Sequence, residues 1–213
     1  MSVKNSLLIE SMYAGPVRYY ATLLQFEQVE LELSEHFVKS SYRNRCVIAS
    51  PDGPLTLTVP IEHGRNKRRF IRDTTIFNEY EWRKKHWESL QLTYRSTPYF
   101  EYFEDDLSVI YQKEYKYLHD WNRDIMNFVL EQLDVDLKYS ETEEYEKQPV
   151  GKKDMRSHII PNLKKTVLDD EYESPVYKQL FEAKTGFLPE LSIFDLLFAQ
   201  GPAAVPILYD CFD

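Results

Sequence analysis

The chain has 213 residues and a mass of 25.4 kDa, with 26 Lys and Arg against 35 Asp and Glu, a formal charge of −9 and a pI near 5.2. That length predicts one domain with a core that needs no disulfide or metal support, and 43% hydrophobic with 29% charged residues excludes wholesale disorder. Residues 1–100 hold 14 basic and 11 acidic residues and residues 101–213 hold 12 and 24, so an extended polyanion footprint is excluded and nucleic-acid binding is not expected, while a single small anionic ligand in the first half stays open.

Leu7 to Glu10 reads as a first strand, followed by the breaker cluster Ser11-Met12-Tyr13-Ala14-Gly15-Pro16. Pro16 suits the first turn of a helix over 16–25, with Val17, Tyr20, Leu23 and Leu24 at helical spacing. Val29, Leu31 and Leu33 then alternate with Gln28, Glu30 and Glu32, which is strand period. The order strand, turn, helix, strand predicts a βαβ unit, and such units place ligands at the turn after the first strand. Arg43–Ile48 and Leu55–Ile61 read as an antiparallel hairpin joined through Ser50-Pro51-Asp52-Gly53-Pro54. Residues 64–72 carry five basic residues in nine and read as a loop.

From about Glu79 the period becomes helical, with Trp82, His86, Leu90 and Tyr94 at i, i+4 until Thr97-Pro98 ends the run. Residues 98–103 predict a short second helix or turn, and Asp105 and Asp106 suit the N-terminus of a new helix running, with one interruption, to Leu133. Residues 131–146 hold seven acidic residues and one basic one; with the polar stretch to about 175 they read as a solvated loop. Helices are predicted again at Tyr177–Phe181, Ser192–Ala199 and Pro202 to about Cys211. The fold class is therefore α/β: a small mixed sheet starting with a βαβ unit plus an antiparallel hairpin, packed by a mostly helical C-terminal half. One domain over 1–213 is expected, divided into a βαβ and hairpin part (1–78) and a mainly helical part (79–213) with an acidic loop around 138–175.

Cys46 and Cys211 are too few for a disulfide framework or a structural zinc site, so no metal is expected. The N-terminus lacks a signal-peptide pattern, and no apolar run approaches ~18 residues, so a cytoplasmic protein without membrane insertion is the expectation. There is no Walker A, GxSxG, HExxH or CxxC pair.

The chemistry-bearing stretch is Glu35-His36-Phe37-Val38-Lys39-Ser40-Ser41-Tyr42-Arg43-Asn44-Arg45-Cys46. On a strand Arg43 and Arg45 share a face, and two guanidinium forks on one face clamp phosphate or carboxylate. Lys39 adds a point charge, and Glu35 or His36 is a candidate general base. The plain alternative is a hairpin edge guarded by charge. His86 is either a third proton-transfer candidate or a satisfied core residue. Glu101, Glu104, Asp105 and Asp106 read as capping acids or, less simply, as Mg²⁺ ligands. Asp195, among apolar neighbours, predicts a structural ion pair with a buried Arg or a place at the solvent-facing start of a helix.

Several motifs stand together in order: Tyr42-Arg43-Asn44-Arg45, the Asp52-Gly53 turn, Leu55-Thr-Leu-Thr-Val-Pro60, Trp82 with His86-Trp87, Ser96-Thr-Pro98-Tyr-Phe-Glu101, and Leu191-Ser192-Ile-Phe-Asp195 through Gly201-Pro202. In this the sequence resembles the WbqC-like family, in the form common among Bacteroides-type bacteria. The resemblance implies a role in cell-surface polysaccharide (O-antigen type) biosynthesis, as a transferase of acyl, aminoacyl or nucleotidyl groups to or from a nucleotide- or lipid-linked sugar, or as a non-catalytic binding or assembly protein of the same pathway. It implies no particular cofactor. It strengthens Arg43, Asn44 and Arg45 as substrate-binding residues beside Tyr13, Lys39, Glu101 and Asp195, with Glu35, His36 and His86 as the catalytic candidates. The partner expected is a small anionic substrate such as a sugar nucleotide, with protein partners open. Two positions depart from the family's pattern: Glu10 stands where Gln is usual, and Ser40 follows Lys39 where many members have Gln.

Overall fold

The computed structural model describes residues 4–62, 68–161 and 171–212. Strand β1 (Lys4–Glu10) carries Leu7, Leu8 and Ile9, all buried, the mark of a strand covered on both faces. Helix α1 (Val17–Leu23) crosses over to β2 (Phe26–Glu32), which pairs parallel with β1 and sets Glu10 beside Glu32. Pro16 sits at the helix N-cap, one position earlier than its sequence role predicts. All seven residues of α1 are buried, Arg18 among them, its guanidinium 4.8 Å from the Tyr172 ring. The βαβ unit read from the sequence is thus present.

The other two strands of this sheet are β5 (Tyr139–Glu141), parallel to β2, and β6 (Lys153–Asp154), parallel to β1, giving the order β5-β2-β1-β6. β3 (Arg45–Ile48) and β4 (Leu55–Thr58) form the expected antiparallel hairpin, its turn closed by Gly53 at φ 113°. The α/β class stands, but the hairpin forms a sheet of its own. Tyr13 N–H donates to Tyr42 O (2.9 Å) and Ser192 N–H to Val47 O (2.7 Å), tying hairpin, first turn and C-terminal segment together.

Helices α2 (Trp82–Tyr94), α3 (Phe100–Gln112) and α4 (Leu118–Gln132) pack against this frame. α2 buries Trp82, His86, Leu90 and Tyr94, as the spacing predicts. Trp121 of α4 is the central core residue: its ring lies 5.0–5.5 Å from those of Tyr13, Trp82, Tyr111 and Tyr115. The short α5 (Glu182–Thr185) precedes α6 (Ile193–Gln200), which Ser192 caps by accepting from Phe194 N–H, and α7 (Ala204–Asp210). Gly201 ends α6 at φ 54° against the Tyr99 ring, where any Cβ would collide.

Three expectations about the elements change. Asp105 and Asp106 do not start a helix: α3 already begins at Phe100, and both acids fall on its solvent face opposite Phe103 and Leu107. Residues 131–161 are not simply a solvated loop, since they supply β5, β6 and the buried Met155 and Ile159. Their acidity hid them because short, half-buried strands show no apolar alternation. Tyr177–Phe181 is not helical; the turn of helix follows it at α5. Much of the basic run, 63–67, lies outside the described residues.

Among the described residues Asp195 has no buried Arg partner. Its two oxygens accept from Tyr94 Oη and Tyr177 Oη, each at 2.9 Å, and Tyr94 Oη also accepts from Ala49 N–H at 3.2 Å. Burial pushes its carboxyl from 3.8 up to about 6, against the pull of the two tyrosine hydroxyls. A carboxyl whose folded-state value is raised favours the fold while protonated, and that contribution is lost as pH rises from 3.8 through about 6. The shift corresponds to on the order of 3 kcal/mol. Urea denaturation across this interval should therefore show stability falling more steeply, or rising less, with pH in the wild type than in Asp195→Asn; identical slopes would place the titration elsewhere.

Candidate functional site

In an open parallel sheet, ligands gather outside the carboxyl ends of the strands where the strand order reverses. Here the order runs outward from β1 through β2 to β5, and β6 returns on the other side of β1. The crevice between the ends of β1 and β6 is that point, and charged side chains fill it.

Glu10 and Glu32 end their strands side by side, at 1% and 0% exposure. Both oxygens of Glu10 accept from Ser157 N–H at 3.1 Å, and Arg43 Nη1 lies 3.6 Å from Glu10 Oε1. Glu32 Oε1 accepts from Ser34 N–H and Thr142 Oγ1, both at 2.8 Å, and its Oε2 from Arg156 Nη1 at 2.8 Å. Arg156 turns the rest of its fork on Asp154, at 2.9 and 2.7 Å. These hydrogen bonds hold the Asp154 carboxyl below its ordinary value. Ser157 takes a left-handed φ of 60° immediately after Arg156, at the point where its N–H meets Glu10.

Arg43 is itself 1% exposed and donates its Nε to Glu35 Oε1 at 3.0 Å, with Nη2 on the same oxygen. Glu35 keeps 13% exposure. A chain of charge therefore runs from solvent inward: Glu35, Arg43, Glu10. Burial raises the Glu10 pKa, Arg43 opposes the rise and Glu35 adds to it. Glu10 thus holds a proton more readily than an ordinary carboxyl. A carboxyl of that kind beside a guanidinium is suited to proton transfer with local charge compensation.

The rim comes from residues 33–37, which pair with 69–72 through Phe37 N–H to Arg69 O, Ile71 N–H to Glu35 O and Arg72 N–H to Leu33 O, at 2.9–3.1 Å. His36 stacks on Phe70 with ring centres 4.7 Å apart, and His36, Phe70 and Lys39 are all exposed. Arg72 reaches Ser34 Oγ and the Glu143 carbonyl. The mouth is thus basic and aromatic over an acidic interior.

Of the residues singled out from the sequence, the structure brings Glu35 and Arg43 into this cluster and His36 onto its rim, while Lys39 is exposed nearby in sequence. Arg43 lies two residues before β3, so strand alternation does not govern it, and the half-buried Arg45 that opens β3 has no contact with the Glu10 cluster among the described residues. Asn44 donates to Val59 O at 2.9 Å and holds the hairpin. Tyr13 and His86 meet in the core: their rings stack 5.8 Å apart, and Tyr13 Oη is 3.1 Å from His86 Nδ1 and 2.8 Å from Tyr111 Oη. Burial pushes His86 down to about 4, so it is neutral at physiological pH. Glu101 is exposed on the first turn of α3, and Asp195 sits between its tyrosines. Sequence reasoning missed Glu32, Arg156 and Ser157, and met Glu10 only as a departure from a motif. An acid at the same end of both strands of the βαβ unit was the available signal. Among the described residues, no group of three or more His, Cys, Asp and Glu is arranged to hold a metal ion.

Removing one member of a buried ion pair strands the other, at a cost of about 3–5 kcal/mol, whereas removing both is far milder. Arg43→Met should destabilise the protein by about that much. Adding Glu10→Gln, whose amide oxygen still accepts from Ser157 N–H, should restore most of the loss in urea denaturation. Strictly additive losses would mean that Glu10 and Arg43 do not compensate each other.

The sequence pattern of the WbqC-like protein family matches residues 11–170, which take in Arg43 and the Arg156-Ser157 turn. The chain is also 27% identical to the "Uncharacterized protein Rv1507c" of Mycobacterium tuberculosis (strain ATCC 25618 / H37Rv), in an alignment covering 98% of this chain and 99% of that one. No solved structure matches it. With the family pattern spanning most of its length, from the turn after β1 past the end of β6, the chain belongs to the WbqC-like protein family.

Proposed function

We propose that this protein is an enzyme of bacterial cell-surface polysaccharide synthesis that transfers a group to or from a nucleotide- or lipid-linked sugar at the carboxyl edge of its parallel sheet. The observation that carries the reading is the Glu35–Arg43–Glu10 chain at the switch point between β1 and β6. The pathway comes from family membership.

In this reading Glu10 and Glu35 share the proton work. Glu10, whose pKa burial raises, is the carboxyl that takes up a proton more readily, and Glu35, at the solvent end, accepts from the attacking group. Arg43 stabilises whichever carboxylate is ionised as the proton moves. Lys39, His36 and Arg72 at the rim meet the anionic part of the substrate, and the exposed Phe70 ring offers it an apolar face. Tyr13, buried behind the first turn, positions that turn through Tyr13 N–H to Tyr42 O. Glu101 and Asp195 lie away from this centre.

A second reading, a non-catalytic binding or assembly protein of the same pathway, is favoured by the exposed Leu92, Tyr102 and Val109 on α2 and α3.

A thermal-shift panel of sugar nucleotides and acyl donors separates the two. The enzyme reading expects at least one sugar nucleotide to raise the melting temperature of the wild type. Lys39→Ala should reduce that shift, and Glu35→Gln should leave binding while lowering turnover by roughly 10²-fold or more. No shift with any candidate, together with a stable protein partner in pull-downs, would favour the assembly reading.

A further inference from the structure

A second cavity lies away from the strand ends, on the surface between the start of α2 and the end of α3. Its volume is about 310 Å³, and Tyr80, Arg83, Lys84, Trp87, Tyr111 and Gln112 line it together with Glu81. That size is at the lower end of the range for small-molecule sites, roughly 300–1,000 Å³, and suits one ring system with a short polar extension.

The walls are aromatic and held from behind. Trp87 is half-buried, its ring 5.5 Å from Tyr111 and 6.0 Å from Phe100. Tyr111 is fixed in turn by its hydroxyl contact with Tyr13, 2.8 Å away. Tyr80 is 66% exposed, yet its ring packs edge-on against Phe77 at 5.3 Å. A large aromatic ring left this open on the surface, but braced on one side, is poised to stack on something else.

Arg83 is anchored as well. Arg83 Nη1 donates to Asn78 Oδ1 at 2.7 Å, and its guanidinium lies 5.7 Å from the Trp82 ring. The charged lining is Arg83 and Lys84 against Glu81, so one positive charge is in excess. Gln112 adds an amide with both donor and acceptor capacity.

We propose that this pocket binds a nucleoside phosphate, with the base stacked against Trp87 and Tyr80 and the phosphate held by Lys84 and Arg83. Base–aromatic stacking is tolerant of base identity and strong, and charge-assisted hydrogen bonds fix the phosphate end. The pocket shares no residue with the Glu35–Arg43–Glu10 chain, so the proposal does not depend on the reaction assigned there.

AMP, adenosine and ribose 5-phosphate, titrated against the intact protein by calorimetry, test it. AMP should bind with one site per chain, adenosine more weakly and ribose 5-phosphate not measurably. Tyr80→Ala, an exposed position, should weaken AMP by roughly tenfold. Lys84→Ala should weaken AMP several-fold while leaving adenosine unchanged. Glu35→Gln, at the strand ends, should leave AMP binding unchanged, so failure of either site shows separately. The proposal is overturned if AMP does not bind at millimolar concentration, if ribose 5-phosphate binds as well as AMP, or if Tyr80→Ala leaves AMP binding intact.

Discussion

Two glutamates buried side by side at the ends of adjacent parallel strands are the constraint around which the fold is organised. Glu10 and Glu32 sit almost without solvent, and a buried carboxylate without a partner is costly enough to unfold a chain of marginal stability. Compensation arrives from both sides of the sheet. Arg43 comes from the approach to the hairpin and Arg156 from the segment after β6. Elements more than 100 residues apart in sequence are therefore tied to the same two carboxylates. This explains why a strand as short as β6 holds its place: its two residues pair with β1, and the next three bring a guanidinium and a backbone N–H to the charges.

The two arginines are not equivalent. Arg156 gives Glu32 Oε2 one hydrogen bond and forks on both oxygens of Asp154, so it is a structural clamp. Arg43 lies between a buried carboxyl and one that reaches solvent, and only that arrangement lets charge move between inside and outside.

Behind the crevice, aromatic packing provides the rigidity. Trp121 gathers Tyr13, Trp82, Tyr111 and Tyr115 around it; the Tyr13 hydroxyl meets Tyr111 and His86, and the Tyr115 hydroxyl donates to Asp124. His86 and Asp195, both plausible chemical groups from sequence, serve this interior. Each is a polar group satisfied by tyrosine, His86 neutral and Asp195 held up by burial.

Period and punctuation in the sequence determined the βαβ start, the hairpin, the α2 stripe of Trp82, His86, Leu90 and Tyr94, and the Ser192-capped helix, because local spacing dictates each of them. Local chemistry likewise marked Glu35, His36 and Arg43, which lie within nine residues of one another. What only the tertiary structure decided is which charges are buried and who answers them. Glu32 reads as an exposed residue in an alternating strand until β5 and the Thr142 segment cover it, and Arg156 reads as part of an acidic loop until β6 pairs with β1. Burial and ion pairing depend on contacts between segments far apart in the chain, and no window of sequence contains both partners.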